Sequence, residues 1–246
     1  TVLHAHNLYR NKKRPPFIGF RGGTLDFLSF YPFDDYKDVL SSIYEKGNSY
    51  TIVKHSLIQC KIYKSNLKLK ERTSTINIGQ EETHDFKEYN QLINTIYAMN
   101  EISIERDSKI LNMAVYINGN KFTTISADGL LFSTMTGSTA YSLSAGGPIL
   151  HYNVDGLIFN SICPFTMSMR PIIFPKGVTL HVRNTGQNRG FPHLLYDSIP
   201  TNDKIDNDLL LEISLSDLSA DFICLAGNGS FETDWINKIS NHLGFN

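Results

Sequence analysis

Hydrophobic and polar positions along this chain follow a helical period first, a strand period next and a helical period again at the end. In residues 1 to 46, Val2-Leu3-His4-Ala5 and Leu8-Tyr9 suit a helix. After the Pro15-Pro16 break, Phe17-Ile18-Gly19-Phe20 reads as a short buried strand, and Arg21-Gly22-Gly23-Thr24 as a turn. Tyr36, Val39, Leu40, Ile43 and Tyr44 share one helical face, with Asp34 or Asp35 as the cap and Gly47 as the stop. From about residue 50 the period becomes two. Ile58-Gln59-Cys60-Lys61-Ile62 alternates, and Met113 to Ile117 leads through Asn118-Gly119 into Lys121 to Ile125, a two-residue hairpin signal. Further strands are predicted at 102–105, 156–160, 171–174, 178–183, 209–215 and 222–226. Residues 64–90 lack a period and read as a loop excursion. Trp235, Ile236, Ile239 and Leu243 then fit one face of a closing helix, with Gly244 as its stop. The pattern predicts an α/β portion, an antiparallel β-sandwich and a final helix.

One stretch carries most of the candidate chemistry. An apolar strand, Gly129 to Phe132, follows Ala127-Asp128 and runs into Ser133-Thr134-Met135-Thr136-Gly137-Ser138-Thr139. Thr139 to Ala145 suits a short helix, with Ser138 as its N-cap, Gly146 as its stop and Gly147-Pro148 beyond. A strand that delivers a Gly/Ser/Thr turn to a helix start gathers backbone N–H groups and hydroxyls at one point. That arrangement suits the polar edges of a nucleotide. Tyr141 adds a flat face on which a base can stack. Read singly, Asp128-Gly129 is a turn, Tyr141 is core, and Asn100-Glu101 begins a strand.

Composition narrows the class. The chain has 246 residues, with 23 Lys and Arg against 24 Asp and Glu for a net charge of −1, so no basic surface argues for nucleic acid or an acidic membrane. No apolar stretch approaches a membrane span. Cys60, Cys163 and Cys224 are far apart and form no CxxC pair, and no His-rich metal pattern occurs. Cys60 and Cys224 sit in apolar strand-like runs, so for them buried thiols in a reducing, cytoplasmic setting are the expectation. His151 and His193 stand alone and receive no role.

The run Ala127-Asp128-Gly129, Thr136-Gly137-Ser138-Thr139-Ala140-Tyr141 and Ser144-Ala145-Gly146-Gly147-Pro148 resembles the signature of the NAD kinases. The resemblance extends along the chain. Thr1-Val2-Leu3-His4-Ala5 is similar to the end of the family's GGDGT motif and the helix after it. Gly23-Thr24-Leu25 with Phe27-Leu28 resembles GTLGFL, and Asn100-Glu101 matches the NE pair. Ile162-Cys163-Pro164 through Arg170-Pro171 resembles ICPHSLSFRP, and Tyr196-Asp197 stands at FDG. Val182 to Thr185 and Asp234-Trp235 resemble the eukaryotic, cytosolic branch.

The resemblance implies a two-domain fold: residues 1–47 as the C-terminal part of the α/β domain, 48–226 as the NAD-binding β-sandwich, and 227–246 packing back on the first domain. It implies transfer of the γ-phosphoryl group of ATP to the 2′-hydroxyl of the adenosine ribose of NAD, with Mg²⁺ accompanying the ATP. It implies a homodimer or homotetramer. It places Asn100, Thr139, the Ala140 backbone and Tyr141 at the adenosine end, and Glu101 near the ribose and phosphates. Asp128 falls on the nicotinamide half, with Thr136 and Ser144 as further contacts. Asp197 approaches the nicotinamide side, and Gly23 lies on the phosphate path. Thr1 aligns with the Thr of GGDGT, so the expected catalytic Asp lies two residues before the first residue. No catalytic residue or metal ligand is assigned within the chain, and this exact chain is expected to be an inactive fragment.

Met135, Asp26, Gly22, Phe165, Tyr152 and Ser198 depart from the family pattern, and none removes a group assigned to adenine. A catalytically dead NAD- or NADP-binding paralogue, acting as a partner subunit, is the alternative reading. A nucleotide-free interaction sandwich is the third. There is no GxxxxGK[ST] loop and no HRD or DFG set.

Overall fold

The computed structural model describes residues 2–9, 14–22, 27–44, 50–65, 86–225 and 231–243, with side chains in the last segment described for 235–241. Gly23, Thr24, Asp26, Gly47, Gly244 and most of the 64–90 excursion therefore lie outside the described residues. The chain divides into two compact units, one of residues 1–55 with 218–246 and one of residues 56–217.

The first unit holds helices α1 (Val2–Leu8), α2 (Tyr36–Tyr44) and α4 (Phe231–Leu243) and a two-stranded parallel pair, β1 (Phe20–Arg21) with β2 (Tyr31–Pro32). The apolar run after Pro15-Pro16 bonds at Phe17, whose N–H donates to Asp221 O at 2.7 Å while Ile223 N donates back to Phe17 O at 2.8 Å. Phe222 is fully buried there and meets the rings of Phe17, Phe30 and His55. The 3-10 turn Phe33–Asp35 leads into α2, and its own N-cap position, Pro32, carries no side-chain bond. On α4, Ile239 is buried, but Ile236 is exposed and Lys238 takes an interior place. Lys238 Nζ donates to the carbonyls of Phe27 (3.2 Å) and Ser29 (3.0 Å) and lies over the Phe30 ring. Capture of its charge by two carbonyls explains how a lysine replaces an apolar side chain on that face.

The second unit is a sandwich. Its strands are β3 (Tyr50–Lys64), β4 (Gln91–Ala98), β5 (Glu101–Glu105), β6 (Leu111–Ile117), β7 (Asn120–Ala127), β8 (Gly129–Ser133) and β9 (Gly156–Ile162). β10 (Ile172–Pro175), β11 (Leu180–Asn184), β12 (His193–Tyr196), β13 (Ile199–Lys204) and β14 (Leu209–Leu225) follow. β3 and β14 begin or end in the first unit. One sheet has the order β10-β9-β8-β5-β12-β13 and the other β4-β3-β14-β11-β6-β7. Ile102, Ile104, Phe132 and Phe159 of the first sheet and Ile62, Val115, Val182 and Leu211 of the second belong to one buried cluster. Strand alternation therefore sends one side of each sheet inward.

Asn118 (φ 49°) and Gly119 (φ 85°) form the expected hairpin turn between β6 and β7. Both are in the left-handed region that a two-residue turn of this kind demands. The strands expected at 209–215 and 222–226 are instead one continuous strand, β14. The excursion ends earlier than expected: Phe86 packs against the Tyr116 and His181 rings, and Tyr89 is buried. Strands β4, β12 and β13 had no counterpart in the sequence pattern.

Candidate dinucleotide site

The site is built on the outer face of the β5–β8 ribbon. Glu101, Ser103 and Glu105 alternate with the core residues Ile102 and Ile104, so the three polar side chains share that outer face. Glu101 pairs with Ser133 and Glu105 with Gly129. Asn100 precedes β5 and Asp128 precedes β8, each where the chain passes from one sheet to the other. Because β5 and β8 are antiparallel, these corners mark opposite ends of the ribbon, six residue steps or roughly 20 Å apart at about 3.4 Å per residue.

The Asn100 corner is held from two sides. Asp197 and Ser198 (φ 46° and 64°) form the two-residue turn between β12 and β13. The Asp197 carboxylate accepts the backbone N–H groups of Met99 (3.0 Å), Asn100 (2.7 Å) and Glu101 (3.3 Å). From the other side, Thr134 Oγ1 donates to Met99 O at 2.6 Å and accepts from Gly137 N at 3.1 Å. Thr134 N donates to Asn100 O at 3.0 Å. A Cβ on Gly137 would run into the Asn100 peptide, so glycine lets the Thr136–Thr139 turn press directly on that corner.

The loop beyond does not follow the expected helix. Thr136–Thr139 is a 3-10 turn, and only Tyr141–Ser144 (α3) is α-helical. Ser138 is not its N-cap. That position is Ala140, and no side chain bonds there. The Ser138 hydroxyl instead donates to Met135 O (2.6 Å) and accepts from Leu150 N (3.1 Å), tying the two ends of the loop. Gly146 (φ 77°) does end the helix. Its N–H donates to Leu143 O and that of Gly147 to Ser142 O, the paired bonds of a left-handed helix stop. Asn160 Nδ2 donates to Ala145 O at 2.8 Å and anchors the loop to β9.

Around this frame stand polar atoms with no hydrogen-bond partner among the described residues. Asn100 Oδ1, Glu101 Oε2, Ser133 Oγ and Ser142 Oγ are all buried and unbonded. Burial pushes the Glu101 carboxyl up to about 7, helped by the charges of Asp197 and Glu105. Burial also raises Asp197, while the three backbone N–H groups that it accepts oppose that shift. The Tyr141 hydroxyl is raised, first by burial and then by the charges of Glu105, Cys163, Glu101 and Asp128. Tyr141 is thus within electrostatic reach of both ends of the ribbon.

The structure therefore gathers Asn100, Glu101, Thr136, Thr139, Ala140, Tyr141 and Asp128 along one strip. Ser144 is exposed on α3. Asp197 is buried beneath the Asn100 corner with its carboxylate already engaged. Gly23 is outside the described residues. Thr134, Gly137 and Asn160 shape the strip and were not singled out in the sequence. Gly137 carried a signal, since a glycine inside a hydroxyl run often marks a close backbone approach. Among the described residues no group of three or more His, Cys, Asp or Glu is placed to hold a metal ion.

Comparison with known proteins identifies the family. Residues 99–224 match the family model described as the ATP-NAD kinase C-terminal domain. The chain is 31% identical over 248 residues to the mitochondrial NADH kinase pos5 of Schizosaccharomyces pombe, covering all of this chain and 56% of that protein. It is 30% identical over 248 residues to probable NAD kinase 1 of Oryza sativa, covering all of this chain and 42% of that protein. The chain thus spans about half the length of these curated relatives. Among solved structures it superposes on yeast NADH kinase complexed with NADH with a TM-score of 0.78 and 29% identity, covering all of this chain and 63% of that one. An Archaeoglobus fulgidus NAD kinase solved with ATP, at 20% identity and a TM-score of 0.68, shares the fold. The strip between Asn100 and Asp128 falls inside the matched region, and the chain belongs to the ATP-NAD kinase family through that family's C-terminal domain.

Proposed function

We propose that this chain binds NAD or NADH along the β5–β8 ribbon and presents the adenosine 2′-hydroxyl for phosphorylation by ATP. The reaction moves the γ-phosphoryl group to that hydroxyl and releases ADP and a proton. The observation that carries this reading is the convergence of unbonded buried atoms, Asn100 Oδ1 and Glu101 Oε2, on a corner clamped by Asp197 and Thr134. Buried polar atoms cost free energy unless they are bonded, and a bound ligand supplies the missing partners.

Asn100 carries an acceptor and donors, as an adenine edge requires. Tyr141 offers its ring to the base, and Thr139 and the Ala140 backbone border it. Glu101, when ionised, accepts a ribose hydroxyl. Asp128, at the far corner, accepts from the nicotinamide half. Thr136 and Ser144 lie along the path, and Asp197 acts from below by holding the corner. Charge that develops on the transferring phosphoryl group needs donors or a cation. A divalent cation bound to the ATP phosphates would supply that charge.

A homodimer or homotetramer is part of the same proposal. The second unit exposes Phe165 and Met167 (79% and 89%), apolar surface that such an assembly would cover. A cytoplasmic setting suits the three cysteines, none in paired spacing. No helix among the described residues is long and apolar enough to cross a membrane.

Titration calorimetry with NAD and with NADH tests the reading. Saturable binding below about 1 mM is expected, with marked weakening in Asn100→Ala. A well-folded chain that binds neither dinucleotide at millimolar concentration would favour the nucleotide-free sandwich.

A further inference from the structure

The geometry points to Arg106 as the residue that sets the orientation of Asp128 in this site, a role that rests on the dinucleotide reading above. Arg106 is the first residue after β5, and it meets Asp128 twice. Its Nε lies 2.7 Å from Asp128 Oδ1, and its backbone N–H donates to Asp128 O at 3.0 Å. The other end of the guanidinium is fixed too, since Nη1 donates to Ser108 O at 3.3 Å. Asp128 N donates to Ile162 O at 2.9 Å. The Asp128 backbone is therefore bonded at both its donor and its acceptor, and the side-chain rotamer is the freedom that remains.

Arg106 removes that freedom. The guanidinium engages the carboxylate at Oδ1. An acceptor is thus held at the end of the ribbon. Arginine suits this task because its N–H directions are set by a rigid plane, whereas a lysine ammonium is a rotating point charge. The two side chains are 40% and 37% exposed. Ion pairs so open to water contribute little to stability, and the guanidinium, ion-paired to Asp128 and hydrogen-bonded to Ser108 O, acts on orientation instead.

Calorimetry on the whole chain tests this with two probes: NAD, and AMP, which has the adenosine half alone. Arg106→Gln is expected to weaken NAD three- to tenfold and to leave AMP unchanged. Asp128→Ala is expected to weaken NAD at least as much, and the double variant to be no worse than Asp128→Ala alone, because the two residues act as one unit. Arg106→Lys keeps the charge without the Nε–H and is expected to match Arg106→Gln. It also carries the test if the glutamine variant does not fold. Wild-type NAD affinity in both Arg106 variants, beside a loss in Asp128→Ala, would overturn the role of Arg106 and leave the site reading intact. Additive losses, or equal weakening of AMP, would overturn it as well. No effect of Asp128→Ala, or no NAD binding by the unaltered chain, would remove both.

Discussion

The two units bury ionisable groups of opposite kind. The first encloses bases: His6, His55 and Lys238 are all buried. The second encloses acids at its site, Glu101 and Asp197. Burial lowers His6 to about 4, with help from Arg14, and lowers His55 to about 4, with help from Lys238. Burial raises Glu101 to about 7. A neutral histidine is a core residue that acid must charge, whereas an open carboxyl at a ligand strip gains from holding its proton. Both shifts have one cause, since burial disfavours whichever form of the group carries charge.

The largest expected effect is in acid. The stability that neutral His6 and His55 contribute is full above pH 6.5 and is lost as pH falls toward 4, up to about 3 kcal/mol for each. Hydrogen exchange resolved by unit should show the first unit opening below pH 6. His6→Phe with His55→Phe should flatten that slope, and a slope unchanged in the double variant would break the comparison. Next comes Glu101. Its raised value adds stability below about pH 4.5 that disappears as pH rises through 7, up to ~3 kcal/mol. Glu101→Gln should therefore be more stable than the unaltered chain at pH 8 and level with it at pH 4.5, by denaturant titration. Gly137→Ala should cost about 1–3 kcal/mol through overpacking against the Asn100 peptide. It should also weaken NAD by more than tenfold while leaving exchange in the first unit unchanged. The smallest effect belongs to the Lys61–Glu212 pair, 2.9 Å apart and partly exposed. Lys61→Met should cost less than about 1 kcal/mol, shrink further in 1 M salt, and leave NAD affinity alone.

Much of the sandwich could be read from the residues because burial imposes a period of two where a strand has one dry face. Ile58 to Ile62 and Met113 to Ile117 show it, and Asn118-Gly119 names its own turn. β4 hid because its first half, Gln91 to Asn94, is exposed on both faces and so has no alternation to display. β12 and β13 hid because they are short and joined by Asp197-Ser198, whose left-handed backbone usually announces itself through glycine or asparagine. At the site, residue identity located the strip, yet it could not show what each group does there. Asp197 supports from beneath, and Ser138 ties the loop ends instead of starting a helix. Such roles depend on neighbours far away in sequence. The Arg106–Asp128 pair is of that kind, since nothing in the spacing of 106 and 128 declares that one holds the other.

The central strands β3 and β14 lie side by side, although all of β4 to β13 separates them along the chain. During synthesis, β3 must therefore wait without its sheet neighbour until Leu209–Leu225 has left the ribosome. A product that stops before Leu209 would carry an unpaired apolar strand edge in the middle of a sheet, and chaperone demand should be greatest for that truncated species.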